Sequence, residues 1–509
     1  MKKLLSNMKK LLSISFIIII FFSGMIGSAL QTSYVENEIE NRSISIEDYD
    51  PLVDLNITID ILAIRALDEI ECSQLPNFYL KMFICEDEFI SPVWFNQSYL
   101  YNCWSVSKDV DDNIELVNIT IELWNKGSAF DQICDISKEK NVDETGYAVN
   151  LFYSLKTGKW HGDDYYMGDA SGYARLCGCD DGSIYQDEND CEVFFNIYQN
   201  DFDGDGLPYY VENFVYGTDP EVNNLGEDND FDGVPIEWEH KWGFNPLVWD
   251  DHEHIDLDGD SLNNSEEFLT NEFGSDPFRK DIFLEMDFME NESGGEQIKV
   301  PNETFELFKN PFSRQNIVIH FDIGEVEGGE VIPFDDYTDE KEFLQMYRNF
   351  FLHNDSNNWR RGVFHYGLVV FHRKPSMAFS GDVPPYYGYF PSTNSFVISR
   401  SAPVYFYKEY NGEKSMAFLY AISFMHELGH TFGIKFGKPF GCDNFFGTKP
   451  WMPAYWRFGR YKSIMNYRYF FSILDYSDGS HGLWDYDDWA HIDFTYFEKR
   501  STNTFKFRI

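Results

Sequence analysis

His426, Glu427 and His430 spell H-E-x-x-H inside "FMHELGHTFGIKF", and that spacing has direct chemical consequences. On a helix, residues four apart share a face, so both imidazoles can point at one metal ion. Glu427 falls between them, where it can hold a water at that ion and take its proton. On a helix these parts point to a zinc peptidase. Gly433 occupies the glycine position of the longer H-E-x-x-H-x-x-G-x-x-H pattern, but Phe436 stands where that pattern places a third histidine.

Further on, "YKSIMNYRY" contains Ser463-Ile464-Met465-Asn466-Tyr467. With the helix motif and Gly433, this resembles the metzincin clan of zinc peptidases, whose methionine turn takes the form S-x-M-x-Y in astacin-like and serralysin-like members. The resemblance covers residues 424–467 and implies that Met465 floors the site. It also implies that Tyr467 binds the metal or the transition-state oxyanion. In that clan the third ligand lies between the helix and the turn. From Thr431 to Ile464 this chain has no histidine or glutamate, its one carboxylate is Asp443, and its one thiol is Cys442. Some metzincins use aspartate, so Asp443 is the expected third ligand, carried back by a "GKPFG" loop. His481 and the absence of any third ligand are the alternatives.

A second metal chemistry is written in residues 199–277. "DFDGDGLPYYVE", "DNDFDGVPIEWE" and "DLDGDSLNNSEE" begin 27 and 28 residues apart, and a G-x-[DN]-P turn follows each. Ca²⁺ takes six to eight oxygens, which alternate aspartates in a tight loop can supply. Asp201, Asp203, Asp205 and Glu212 fill loop positions 1, 3, 5 and 12. Asp228, Asp230, Asp232 and Glu239 repeat the set, as do Asp256, Asp258, Asp260 and Glu267. Gly206 and Gly233 allow the sharp turn, and Ser261 replaces them in the third loop. The stretch resembles thrombospondin type-3 or EF-hand-like calcium repeats, which implies an ion-ordered stalk with almost no apolar core.

These sites need elements to carry them. The Pro-free stretch from Lys414 to Phe432 is apolar nearly all round and stops at Gly433, as a buried helix would. Within 278–509, "KDIFLEMDFM", "NIVIHFDIG", "HYGLVVFHR" and "SFVISR" read as strands, and "DEKEFLQMYRNFFL" as a helix. An α+β metzincin-like catalytic domain with a loop-rich C-terminal part is expected. Aromatic residues beyond 380 are expected chiefly in its core.

Residues 55–198 alternate in short β-like runs such as "NITIDILAI" and "VNITIELW", which predicts an all-β sandwich. Its order of features resembles the C2 domain. Asn77 and Asn125 stand where calcium-binding members often carry aspartate, so a structural or docking role is expected. The expected organisation is therefore multidomain: signal segment 1–29, lead-in 30–54, sandwich 55–198, calcium repeats 199–277 and peptidase domain 278–509.

Composition sets the surroundings. The 509 residues are 43% hydrophobic and carry a net charge of −45, which excludes nucleic acid as a partner and suits bound cations. Lysines at 2, 3, 9 and 10, the run "LLSISFIIIIFFSGMIG" and the small residues 27–29 predict an export signal, or a retained anchor. Secretion or cell-surface attachment follows. Cys72, Cys85, Cys103, Cys134, Cys177, Cys179 and Cys191 crowd the N-terminal region, where disulfides are expected, and Cys442 stands apart. The sum of these readings is an exported zinc endopeptidase acting on protein or peptide, with Ca²⁺ and Zn²⁺ as its ions. The alternative is a non-catalytic calcium-binding surface protein with a degenerate peptidase domain.

Overall fold

Strand-forming sequence fills the N-terminal region of this computed structural model, which describes residues 48–71, 74–139, 147–165, 172–186, 188–324, 328–373, 387–390, 394–435 and 438–496. The expected signal segment, Cys72, Phe436 and Gly437 lie outside the described residues. Ten strands come first: β1 (Asn56–Ala66), β2 (Phe78–Ile84), β3 (Asp87–Ile90), β4 (Tyr99–Asp109), β5 (Leu116–Asn125), β6 (Gln132–Cys134), β7 (Val149–Ser154), β8 (Lys159–Gly162), β9 (Arg175–Cys177) and β10 (Cys191–Gln199).

They make two antiparallel sheets, β4-β1-β10-β9 and β3-β2-β5-β7-β8, with β6 on β5, in a sandwich-like arrangement. Period-two burial explains the pattern: Ile57, Ile59 and Ile61 of β1 turn inward, as do Val117, Ile119, Ile121 and Leu123 of β5. Asn77 and Asn125 act as braces. The Asn77 N–H donates to Asn125 Oδ1 at 2.8 Å, and Asn125 Nδ2 donates to Glu71 at 2.9 Å. No disulfide joins the described cysteines. Cys134 lies within hydrogen-bond reach of Cys191, and Cys177 of Cys179.

The repeats pack against both neighbours and bury apolar residues, where a segment with almost no apolar core was expected. The described elements belong to one compact unit beginning at Asp50. Short helices after the loops bury Val211, Ile236, Trp238 and Trp242, and Leu262 of the third repeat is buried too. Trp242 meets Tyr173 of the sandwich at 6.0 Å, and His240 Nε2 lies 2.9 Å from Thr157 O. At the other end the Asp281 N–H donates to Asp260 Oδ2 at 2.7 Å. Counting loop acids hid these apolar faces.

The C-terminal sheet contains β11 (Lys280–Met289), β12 (Ile317–Asp322), β13 (Val331–Ile332), β14 (Phe364–Val370), β15 (Tyr387–Phe390) and β16 (Ser395–Ser399). Its order is β12-β11-β14-β16-β15, with β13 also on β11, and only the β15–β16 pair is antiparallel. Parallel neighbours need crossovers, and helices Glu303–Arg314 and Glu340–Met346 lie in two of them. The architecture is thus mixed α/β rather than the expected α+β. Nine consecutive buried residues in β11 are the sequence trace of a strand covered on both faces.

Helix Glu303–Arg314 links the sandwich to the site. Arg65 Nη2 of β1 lies 2.6 Å from Glu306 Oε2, and Arg175 Nη2 donates to Ser313 O at 2.7 Å. The same helix packs on helix Met416–Thr431, which carries the histidines.

Candidate metal centre

Helix Met416–Thr431 starts where Ser415 Oγ accepts the Phe418 N–H at 3.1 Å. Every residue from Leu419 to Thr431 is buried, by helices Glu303–Arg314 and Ser401–Glu409 and by the β15–β16 edge. His426 and His430 sit in its last two turns, their rings 4.9 Å apart and nearly perpendicular. The chain then runs to β17 (Phe440–Asp443), whose final residue returns to the helix.

Asp443 Oδ1 lies 3.1 Å from His426 Nε2, and its Oδ2 lies 3.6 Å from His430 Nε2. One ligand atom from each of the three residues lies within 4.8 Å of the others, so the group could hold a metal ion. The outer ring nitrogens strengthen that reading. His426 Nδ1 donates to Ile464 O at 3.0 Å, and His430 Nδ1 donates to Ile434 O at 2.5 Å. A neutral imidazole that donates from Nδ1 has its lone pair on Nε2, and both Nε2 atoms face the one carboxylate. Two lone pairs and an anion converging on one point fit a cation.

The electrostatics agree. Burial alone would raise the Asp443 carboxyl, but the close approach of His426 and His430 holds it well below the usual carboxylate range. Glu427 is buried with Oε2 unpartnered. Burial pushes its carboxyl up to about 7; Asp443 adds to the rise, and His426 and Arg373 oppose it. A carboxyl that exchanges its proton near neutrality can serve as base and then as acid.

The 463–467 segment lies against the cluster. Met465 is fully buried, its carbonyl accepts the Asp443 N–H at 2.9 Å, and its N–H donates to Ser463 Oγ at 3.1 Å. A Cβ on Gly429 would meet Met465 Sδ at 2.7 Å and Tyr476 at 2.9 Å, so only glycine lets the turn approach the helix. Tyr467 stacks on His426 at 5.3 Å with its hydroxyl within hydrogen-bond reach of Asp443. Burial, ahead of the Asp443 and Glu427 charges, pushes that phenol well above its ordinary range.

His481 belongs elsewhere. Its Nδ1 lies 2.9 Å from Asp485 and 3.6 Å from Asp478, a separate group. The structure thus brings His426, Glu427, His430, Asp443, Met465 and Tyr467 together and leaves His481 out. Arg373 and the Ile434 and Ile464 carbonyls were missed from sequence, since a backbone carbonyl carries no residue signature.

The three acidic loops share one plan. The first aspartate accepts backbone N–H groups across its loop: Asp201 from Gly206 at 2.9 Å, Asp228 from Gly233 at 3.0 Å, Asp256 from Ser261 at 3.2 Å. Gly206, Gly233 and Ser261 all have positive φ, and Ser261 holds this left-handed turn without being glycine. The fifth-position aspartates accept from downstream N–H groups, Asp205 from Asn224 and Asp232 from Asp250.

Positions 3 and 12 are different. Asp203, Asp230, Asp258, Glu239 and Glu267 each keep a buried oxygen with no donor. Burial, followed by neighbouring carboxylates, pushes Glu212 up to about 8 and Asp258 to about 9. Burial also pushes Glu239 up to about 7, with the nearby His252 opposing the rise. Asp203, Asp205 and Glu212 form one group that could hold a metal ion, and Asp232, Glu239 and His252 form another. His252, 3.1 Å from Asp232, was not foreseen because it lies outside the twelve-residue loop. A hollow of about 750 Å³ between the sandwich and the repeats, lined by Trp160, Phe194 and His240, includes no residue of the His426 cluster.

No protein-family model matches the chain, and no curated protein is significantly similar to it. Solved structures are similar to part of it. One is a C2 domain, 12% identical over 28% of this chain and 97% of that one, with a TM-score of 0.18. A C2 domain of plant Extended Synaptotagmin 1 is 7% identical over 28% of this chain and 94% of that one, TM-score 0.17. Human GIVD cytosolic phospholipase A2 is 11% identical over 29% of this chain and only 16% of that one, TM-score 0.18.

Proposed function

We propose that the chain is an exported zinc endopeptidase whose fold is stabilised by calcium. The observation that carries this reading is the convergence of His426 Nε2, His430 Nε2 and the Asp443 carboxylate, with both Nδ1 atoms anchored on backbone carbonyls. Two imidazoles and one carboxylate are a zinc donor set, and zinc bound there supplies Lewis-acid polarisation of a peptide carbonyl. Glu427, with its unpartnered Oε2, takes the proton of the attacking water and passes it to the leaving amine. The Tyr467 hydroxyl donates to the developing oxyanion. Met465 and Gly429 hold the floor that fixes His426 and Asp443 in register.

The unpartnered oxygens at loop positions 3 and 12 support calcium in the repeats, because hard oxygen donors in a sharp loop suit that ion. Among the described residues no helix is long and apolar enough to cross a membrane.

The test is hydrolysis of an unfolded protein substrate by the purified chain. Chelation should abolish it and zinc should restore it. Glu427→Ala should keep the metal and lose at least about 100-fold in rate. Full activity in Glu427→Ala, or in the metal-free protein, would overturn the assignment.

A further inference from the structure

Residues 434–472 reverse the charge balance of the protein. Seven lysines and arginines face one carboxylate, Asp443, in a chain of net charge −45. Lys438, Lys449, Arg457, Arg460 and Lys462 are exposed. Interleaved with them, Phe440, Phe445, Phe446, Trp451 and Trp456 are each 68–77% exposed. The aromatic residues of this stretch were expected in the core, and these five are outside it.

Those from Phe445 to Trp456 belong to one cross-braced segment. The turn Phe445–Gly447 packs on the short helix Pro453–Arg457. The Met452 N–H donates to Lys449 O at 2.9 Å, and the Trp456 indole N–H donates to Pro450 O at 2.7 Å. Arg468 braces the helix from beneath, 3.7 Å from the Tyr455 ring centroid and donating to Tyr455 O at 2.6 Å. Arg457 carries the surface on to Trp484, 49% exposed, at 5.3 Å. The backbone is pinned while the rings project, so the exposure is built in.

Exposed aromatic rings gathered in one short segment are apolar surface that water does not favour, and the cations between them in sequence narrow what can cover it. Indole and phenyl rings interleaved with lysine and arginine suit the headgroup level of a bilayer, where rings enter the interface and cations meet phosphates. An anionic surface attracts this face and is repelled by the acidic bulk of the molecule. We propose that residues 438–462 dock on an anionic lipid surface. Asp443 lies in the same loop, so docking sets the His426 cluster beside the membrane, although the docking itself does not rest on the peptidase reading.

Sedimentation with vesicles tests this, using the full chain carrying Glu427→Ala at fixed calcium. The expected result is binding to phosphatidylglycerol–phosphatidylcholine vesicles, weakened by salt, with little binding to phosphatidylcholine alone. Trp451→Ser with Trp456→Ser, and separately Lys449→Glu with Arg457→Glu, should each weaken binding at least about tenfold. The N-terminal apolar run is common to all these proteins, so the differences report on the surface. Brominated acyl chains should quench the fluorescence lost in the tryptophan variant, a readout that needs no substitution in the protein measured. Equal binding to both vesicle types, or unchanged binding in both double variants, would overturn the proposal. So would unchanged vesicle binding combined with a raised KM for an acidic protein substrate when the same pairs are changed in the Glu427 background, which would make the face a substrate platform.

Discussion

Asp443 Oδ1 lies 3.1 Å from Nε2 of His426, although seventeen residues and the end of a helix separate them in the chain. Two hydrogen bonds to backbone carbonyls accompany that approach: the Asp443 N–H to Met465 O, and His426 Nδ1 to Ile464 O. The 463–467 turn therefore positions the carboxylate and one imidazole together. Any change that moves the turn should move both.

Gly429→Val is the sharpest way to move it. The new side chain would fall where Met465 Sδ and Tyr476 already sit, at 2.7 and 2.9 Å from the first added atom. A stability loss of about 1–3 kcal/mol is expected, measured by denaturant unfolding, together with weaker zinc retention. A variant as stable and as metal-replete as the parent would show that the turn does not set the site.

Tyr467→Phe separates positioning from chemistry. The ring can keep its stack on His426, so zinc content should stay unchanged while kcat falls about 100-fold. Unaltered kcat would remove Tyr467 from the reaction and leave it a packing residue.

Calcium dependence should vary with pH. Without cations, burial raises Glu239 to about 7, Glu212 and Asp260 to about 8, and Asp258 to about 9 in the folded chain. Unfolded carboxyls titrate near 4, so between about pH 4 and 9 the folded state holds more protons than the unfolded one. Stability of the chelated protein is therefore greatest at the acid end and falls as pH rises through that window. Bound calcium replaces those protons, so the Tm difference between calcium and chelator should be larger at pH 8 than at pH 5. Because the repeats are docked on both neighbours, the loss should appear in the whole unit. A difference that shrinks with rising pH would contradict the assignment of these loops.

Much of the site was legible because its chemistry is local. The four-residue spacing placed both histidines on one face, and the scarcity of other donors between Thr431 and Ile464 pointed to Asp443. Loop positions 1, 3, 5 and 12 could be read the same way. What could not be read depended on contacts distant in sequence. Trp238 and Trp242 gave no hint that they dock the repeats, and His252 joins a loop from outside its twelve residues. Trp451 and Trp456 looked like core residues, since aromatic character alone does not say which side of a loop faces water. The parallel sheet was hidden for a related reason: the continuous burial of β11 resembles any apolar strand until its neighbours are known.

The central claim, that Asp443 completes a zinc site, is tested most directly by metal analysis of the purified protein and its Asp443→Ala variant. The wild type and Glu427→Ala should each hold one zinc per chain in the His426 cluster, because Glu427 acts on water and does not hold the metal. Asp443→Ala should lose that zinc or bind it orders of magnitude more weakly, while Asp443→His should regain part of it. Full zinc occupancy in Asp443→Ala, or a wild type without zinc, would contradict the account.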